Sequence, residues 1–191
     1  MSRLIIYIFI LFCPVFIFGQ VPVSFKTPNG CVVKFKQIDK EYYLQWESNN
    51  TTHTLDYPFQ VDGADAWVPR FKSENKKYLF FRAGCGNPCW IGIFLPLYKN
   101  GQPVVISEYI AIDIENNLVA SVSSDSIEIT NLRTLRKQYF KPGNCESAFP
   151  GYCITDAYFK DNVLYYNWTA TTYINSTNKR KRKYVVKNNW N

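Results

Sequence analysis

Residues 76–98 read KKYLFFRAGCGNPCWIGIFLPLY. Two apolar runs, 78–83 and 90–98, flank the short segment 84–89, GCGNPC. Each run has strand length and is rich in aromatic and branched side chains, while the segment between them carries turn chemistry. The apolar residues fall at successive rather than alternate positions, so both faces of this hairpin are expected to be covered. The pattern predicts a β-hairpin at the centre of the core, stapled at its tip by Cys85 and Cys89.

Outward from this hairpin the chain alternates short extended runs with turns. Strands are expected over 31–38, 42–46, 54–61 (broken by Pro58), 67–71, 104–107, 109–114, 118–122, 127–129, 138–140, 152–159, 163–170 and 181–186. Turn signals sit at Asn29-Gly30, Asp39-Lys40-Glu41, Asn100-Gly101, Asn116-Asn117 and Asp161-Asn162, and 48–52 reads as a polar loop. The stretch 131–136, NLRTLR, is expected to form one short helical turn, and no segment sustains a helical period. Aromatic residues make up 17% of the 191, and flat rings suit packing across strands. The class is therefore all-β, with enough chain for one domain with a real core.

The first residues, MSRLIIYIFILFCPVFIFGQ, combine Arg3 with an apolar run over 4–18 and a small residue, Gly19. That run is short for a membrane span and is interrupted by Pro14. Residues 1–19 are expected to be a signal peptide, leaving a single all-β domain over 20–191 with no transmembrane span. Export implies the periplasm, the cell surface or the extracellular space, where disulfides form. Cys13 falls in the discarded peptide; of the others, Cys85–Cys89 and Cys145–Cys153 are the short-range pairs, and Cys31 is left over. The formal charge of +7 attracts acidic surfaces or polymers without naming one.

Four stretches look alike: 35–48 FKQIDKEYYLQWES, 71–84 FKSENKKYLFFRAG, 112–124 IDIENNLVASVSS and 158–170 YFKDNVLYYNWTA. Each holds a strand, a turn with an acid or Asn, and a more apolar strand. If Leu44, Leu79, Val119 and Leu164 are equivalent, the steps are 35, 40 and 45 residues, as in repeated four-stranded units. The segment 110–134, IAIDIENNLVASVSSDSIEITNLRT, resembles a single β-propeller blade, although the Gly-His and Trp-Asp signatures of the commonest propeller family are missing. The expected architecture is an antiparallel meander of repeated four-stranded, propeller-like units, the alternative being a β-sandwich or barrel. The Phe-Gly-Gln end of the leader and the abundance of Tyr, Asn and Lys resemble small secreted proteins of Bacteroidetes-type bacteria, a likeness that implies export and no activity.

Each candidate site has a plain structural reading beside it. A thiol–disulfide site at Cys85 and Cys89 would need a lowered thiol pKa, yet three residues separate the cysteines and the context is strand-turn-strand, so a structural staple is favoured. His53, the only His, is expected on an exposed polar loop, which leaves no metal site and no Ser-His-Asp triad. The carboxylates Asp62, Asp65, Glu108, Asp113, Glu115, Asp125, Glu128, Asp156 and Asp161 mostly fall at turn edges. Asp113 and Glu115 would share one strand face, about 7 Å apart. Asn49, Asn50, Asn167 and Asn175 match glycosylation sequons that matter only in a host using them. Lys179, Arg180, Lys181, Arg182 and Lys183 form the densest charge run, an anion patch on one reading and a solvated last hairpin on the other.

These readings point to a non-enzymatic binding or envelope-associated module, with no cofactor, that presents Trp90, Trp168 and residues 179–183 to its ligand. The partner expected is an acidic glycan, an envelope surface or a protein; export disfavours nucleic acid. The rival is a secreted enzyme, either a carboxylate-based hydrolase or an oxidoreductase using Cys85 and Cys89.

Overall fold

The computed structural model describes residues 24–39, 41–59, 68–86, 89–147, 150–170 and 180–187. The expected signal segment 1–19, Asp62, Asp65 and Lys179 lie outside the described residues. Strands β1 (Ser24–Lys26), β2 (Val32–Ile38), β3 (Glu41–Ser48) and β4 (Thr51–Thr54) form sheet I. Sheet II holds β5 (Arg70–Glu74), β6 (Tyr78–Gly84), β7 (Trp90–Pro96) and β8 (Val104–Ser107). Sheet III holds β9 (Tyr109–Asp113), β10 (Leu118–Ser123), β11 (Ser126–Asn131) and β12 (Lys137–Phe140). Sheet IV has three strands, β13 (Ile154–Lys160), β14 (Val163–Trp168) and β15 (Arg180–Val185). Every sheet is an antiparallel meander of strands adjacent in sequence, and none closes into a barrel. The described residues contain no α-helix, only a 3-10 turn at Pro150–Cys153.

The central hairpin is β6–β7, paired from Tyr78–Pro96 to Gly84–Trp90. Its alternate side chains enter two different cores. Leu79, Phe81, Ala83, Ile91, Ile93 and Leu95 meet Val33, Phe35, Leu44 and Trp46 of sheet I. Tyr78, Phe80 and Phe94 meet Val119 of sheet III and Leu132, in the turn just after β11. This is why the hairpin is apolar at successive positions: each face of sheet II is another sheet's floor. Two polar ties lock these layers. The Trp46 indole N–H donates to the Pro96 carbonyl at 2.8 Å, and Asn75 Nδ2 donates to the Ile114 carbonyl at 2.8 Å. A third core sets Leu118, Ala120, Ile127 and Ile129 of sheet III against Ile154, Leu164, Tyr166 and Trp168 of sheet IV.

The sheets therefore stack in sequence order. Among the described residues no buried cluster joins sheet IV back to sheet I. Sheet I's outer face carries the Lys34–Glu47 ion pair and the Gln45–Thr54 hydrogen bond. The chain passes from β8 to β9 through Glu108 alone, with φ of 52°. The Val122 N–H donates to its carbonyl at 3.1 Å, so the edges of sheets II and III meet at a bend rather than a loop.

Three local expectations need correction. Residues 48–52 are not a loop: Asn49 and Asn50, at φ of 50° and 59°, make the two-residue turn of the β3–β4 hairpin. The strand expected over 54–61 does not form over 55–59: β4 ends at Thr54, the Leu55 N–H donates to the Leu44 carbonyl at 2.8 Å, and Phe59 rejoins the sheet by a bridge to Tyr42, residues 60 and 61 lying outside the described residues. Residues 131–136 form a hydrogen-bonded turn, Leu135 N–H to the Asn131 carbonyl at 2.8 Å, without becoming a helix. The Asn131 side chain accepts from the N–H groups of Arg133 and Thr134, which competes with helix extension.

Candidate functional surfaces

Strand β15 is the edge of sheet IV, and Arg180, Lys181, Arg182 and Lys183 are all exposed on it. Its side chains alternate. Tyr184 turns toward the core between sheets III and IV and stacks on Phe140 at 3.9 Å. Lys181, Lys183 and Val185 turn to the outer face, where their cross-strand partners are Asn167, Tyr165 and Val163. On that face Tyr165 stacks on Tyr158 with ring centroids 5.2 Å apart, and Tyr158 is 53% exposed. Asn167 Nδ2 donates to Asp156 at 2.7 Å, beside the register shift in β13 between Thr155 and Tyr158. The outcome is an open sheet face where ammonium groups flank a pair of stacked rings.

The expected aromatic contacts divide. Trp90 is 39% exposed, with the Arg82 guanidinium 3.9 Å over its ring. Trp168 is only 5% exposed: its strand neighbours Leu164 and Tyr166 share the inner face of β14, and sheet III covers it. It is a core residue rather than part of an open surface, because burial goes to the face that meets the next sheet. Trp90 belongs to sheet II and the basic strand to sheet IV, so the two do not share one sheet face. Tyr158 and Tyr165 are the rings that do accompany the basic strand. Their signal lay in the spacing of 158–165, which puts both on one side of a tight hairpin.

A second feature is a groove of about 480 Å³ between sheets II and III. Val104–Ser107 form one wall, and Ser121, Glu128, Thr130 and Lys137 line it from sheet III. Thr130 Oγ1 donates to Glu128 at 2.9 Å, and Lys137 Nζ reaches the same carboxylate at 2.9 Å. Burial alone would raise the Glu128 pKa, but hydrogen bonds from Lys137, Thr130 and Tyr139 outweigh it and hold the carboxyl below its ordinary value. The same pair raises Lys137. A carboxyl held in this way suits an ion pair with Lys137. A carboxyl lowered on folding contributes stability that is complete above its unfolded pKa and lost as pH falls through the folded one. Wild-type stability is expected to drop more than that of Glu128→Gln as the pH falls below the ordinary carboxylate range, measured by urea titration at each pH. Parallel curves for the two proteins would reject the pairing.

The other candidates fall at the following places. The Cys85 and Cys89 sulfurs lie at disulfide distance, as do those of Cys145 and Cys153. Cys85 and Cys89 join the ends of β6 and β7, and the Cys85 N–H donates to the Cys89 carbonyl at 3.3 Å. Among the described residues of that hairpin no helix N-terminus is present to lower a thiol pKa. Cys31 is a half-buried free thiol whose Sγ contacts the Glu47 carbonyl at 3.2 Å. His53 is not on an open loop but on β4, stacked on Trp46 at 5.1 Å. Glu115 lies beyond the end of β9, so it does not share a strand face with Asp113. Asp113 instead closes the turn, accepting from the Asn116 N–H at 3.0 Å and from Asn116 Nδ2 at 2.8 Å. Among the described residues no group of three His, Cys, Asp or Glu is placed to hold a metal ion. No family model, no curated protein and no solved structure matches the chain.

Proposed function

We propose that the protein is an exported, non-enzymatic binding module that holds an acidic polymer, such as an acidic glycan of an envelope surface, on the outer face of sheet IV. One observation carries this reading: the exposed strand Arg180–Val185 sets Lys181 and Lys183 beside the stacked pair Tyr158 and Tyr165 on one open face. A flat ring offers a platform to a sugar ring, and flanking ammonium groups attract its carboxylates or sulfates. Two cysteine pairs at disulfide distance are compatible with an oxidising compartment. Among the described residues no helix is long and apolar enough to cross a membrane. The four sheets are proposed to be repeats of one blade-like unit, the hairpins β5–β6, β9–β10 and β13–β14 opening their sheets and β2–β3 following one extra strand, β1.

The test uses polygalacturonate and its fully methyl-esterified form, in which a neutral methyl ester replaces each carboxylate. Wild type is expected to bind only the acidic polymer, with affinity falling as salt rises. Replacing Arg180, Lys181, Arg182 and Lys183 by Ser is expected to weaken binding at least about tenfold, at roughly 1 kcal/mol or less per charge near an anionic surface. Equal binding of both polymers, or an unaffected quadruple variant, would reject the proposal.

A further inference from the structure

We infer that the groove beside β8 is a second binding site, which takes an extended, uncharged peptide segment as an added strand. Strand β8 is the last strand of sheet II and among the described residues it pairs with β7 alone. Side chains of a strand point alternately to opposite faces, yet the groove touches every residue of Val104–Ser107. A groove that meets consecutive residues runs along the strand's free main-chain edge.

The composition of the edges supports the same assignment. Sheet edges are ordinarily defended by charge or Pro. Edge strands β1, β5, β9, β12, β13 and β15 each carry at least one charged residue. The two that carry none are β4, TTHT, which is polar throughout, and β8, VVIS, which is mostly apolar. Pro103 stands just before β8 and lines the groove, but along Val104–Ser107 itself the apolar edge is a template for another strand, recessed against sheet III instead of lying open to any passing edge. The volume of about 480 Å³ falls in the ordinary range for ligand sites.

The floor names the occupant. Its two charges, Glu128 and Lys137, neutralise each other at 2.9 Å, so they leave no net charge to attract an acidic or a basic segment. Ser121, Ser123 and Thr130 add hydroxyl groups. An added strand would direct every second side chain at this floor, and small hydroxyl-bearing or amide side chains fit it. Main-chain hydrogen bonds to the β8 edge would supply the affinity.

The probe is an acetylated and amidated peptide of alternating Thr and Val, seven residues long, titrated into the full protein while backbone amide signals are followed by NMR. Binding is expected to shift the amides of Val104–Ser107. A version N-methylated at every amide, which removes the donors of both edges, is expected to bind at least about tenfold more weakly. Ser107→Trp and Ser123→Trp fill the groove from exposed positions and are expected to weaken the unmodified peptide to a similar degree. The peptide comparison uses wild type only, so it decides the matter even if a Trp variant fails to fold. Absence of shifts at the β8 edge up to the solubility limit would overturn the inference. So would equal binding of the methylated peptide, or full binding by both folded Trp variants. The basic face lies on another sheet, so this result is independent of the polymer experiment.

Discussion

Trp46→Ala is expected to lower the free energy of unfolding by about 4 kcal/mol. The indole is 2% exposed and belongs to the core that joins sheets I and II. Its N–H donates to the Pro96 carbonyl at 2.8 Å in a buried setting, and His53 stacks on its outer side at 5.1 Å. Truncation therefore combines three losses: apolar burial, a cavity between two sheets, and an acceptor at the end of β7 with no donor. Trp46→Phe separates them. It keeps a ring in the space but abandons the Pro96 carbonyl, at a cost of about 1–3 kcal/mol. Urea unfolding followed by far-UV circular dichroism measures both. A loss under about 1 kcal/mol for Trp46→Ala would mean that sheets I and II are not fused at this point.

Gly101→Ala is expected to cost about 3 kcal/mol by overpacking. A β-carbon at this position would lie 2.4 Å from Pro96 Cβ and 2.9 Å from Tyr98 Cε2. Neither neighbour is the free end of a flexible chain. Pro96 is locked by its ring at the end of β7, and the Tyr98 hydroxyl is held by Tyr78 at 2.7 Å. Relief requires the β7–β8 connection to move, and the Gly101 N–H that donates to the Tyr98 carbonyl at 3.2 Å moves with it. Gly151→Ala is the control, because an added β-carbon there meets nothing within 4 Å. It is expected to stay within about 0.5 kcal/mol of wild type. Two variants of equal stability would show that the turn after β7 is not packed in this way.

Several of these features were legible in the residues themselves. The β6–β7 hairpin follows from two apolar runs around GCGNPC, and its double coverage follows from their lack of alternation. The bounds of β8 follow from Asn100-Gly101 before it, and Glu108 is the single-residue bend after it. The β3–β4 hairpin was hidden because TTHT has no apolar alternation; it is a strand through pairing with β3. Asn49-Asn50 was the available signal, since Asn tolerates the left-handed conformation both positions adopt. His53 was misplaced by the same omission.

The site residues divide along the same line. The basic run 180–183 was evident as charge, whereas its two companions, Tyr158 and Tyr165, had only their spacing across a hairpin as a signal, and the β13–β14 pairing sets them together. Trp168 was chosen for its type, and type does not reveal which face of a strand is covered. Glu128 and Lys137 lie nine residues apart in the chain and meet because β11 pairs with β12.

What the sequence by itself determined is local: the all-β class, the positions of most strands and turns, the short-range cysteine pairs and the basic strand. Period, turn residues and short spacings carry that information because each acts over a few residues. The tertiary structure alone decided which strand faces are buried, and with them the loss of Trp168 as a surface residue, the open aromatic face of sheet IV and the groove along β8. The physical reason is that a strand's two faces are equivalent until another sheet covers one of them. That choice depends on stacking between segments tens of residues apart, which no local pattern encodes.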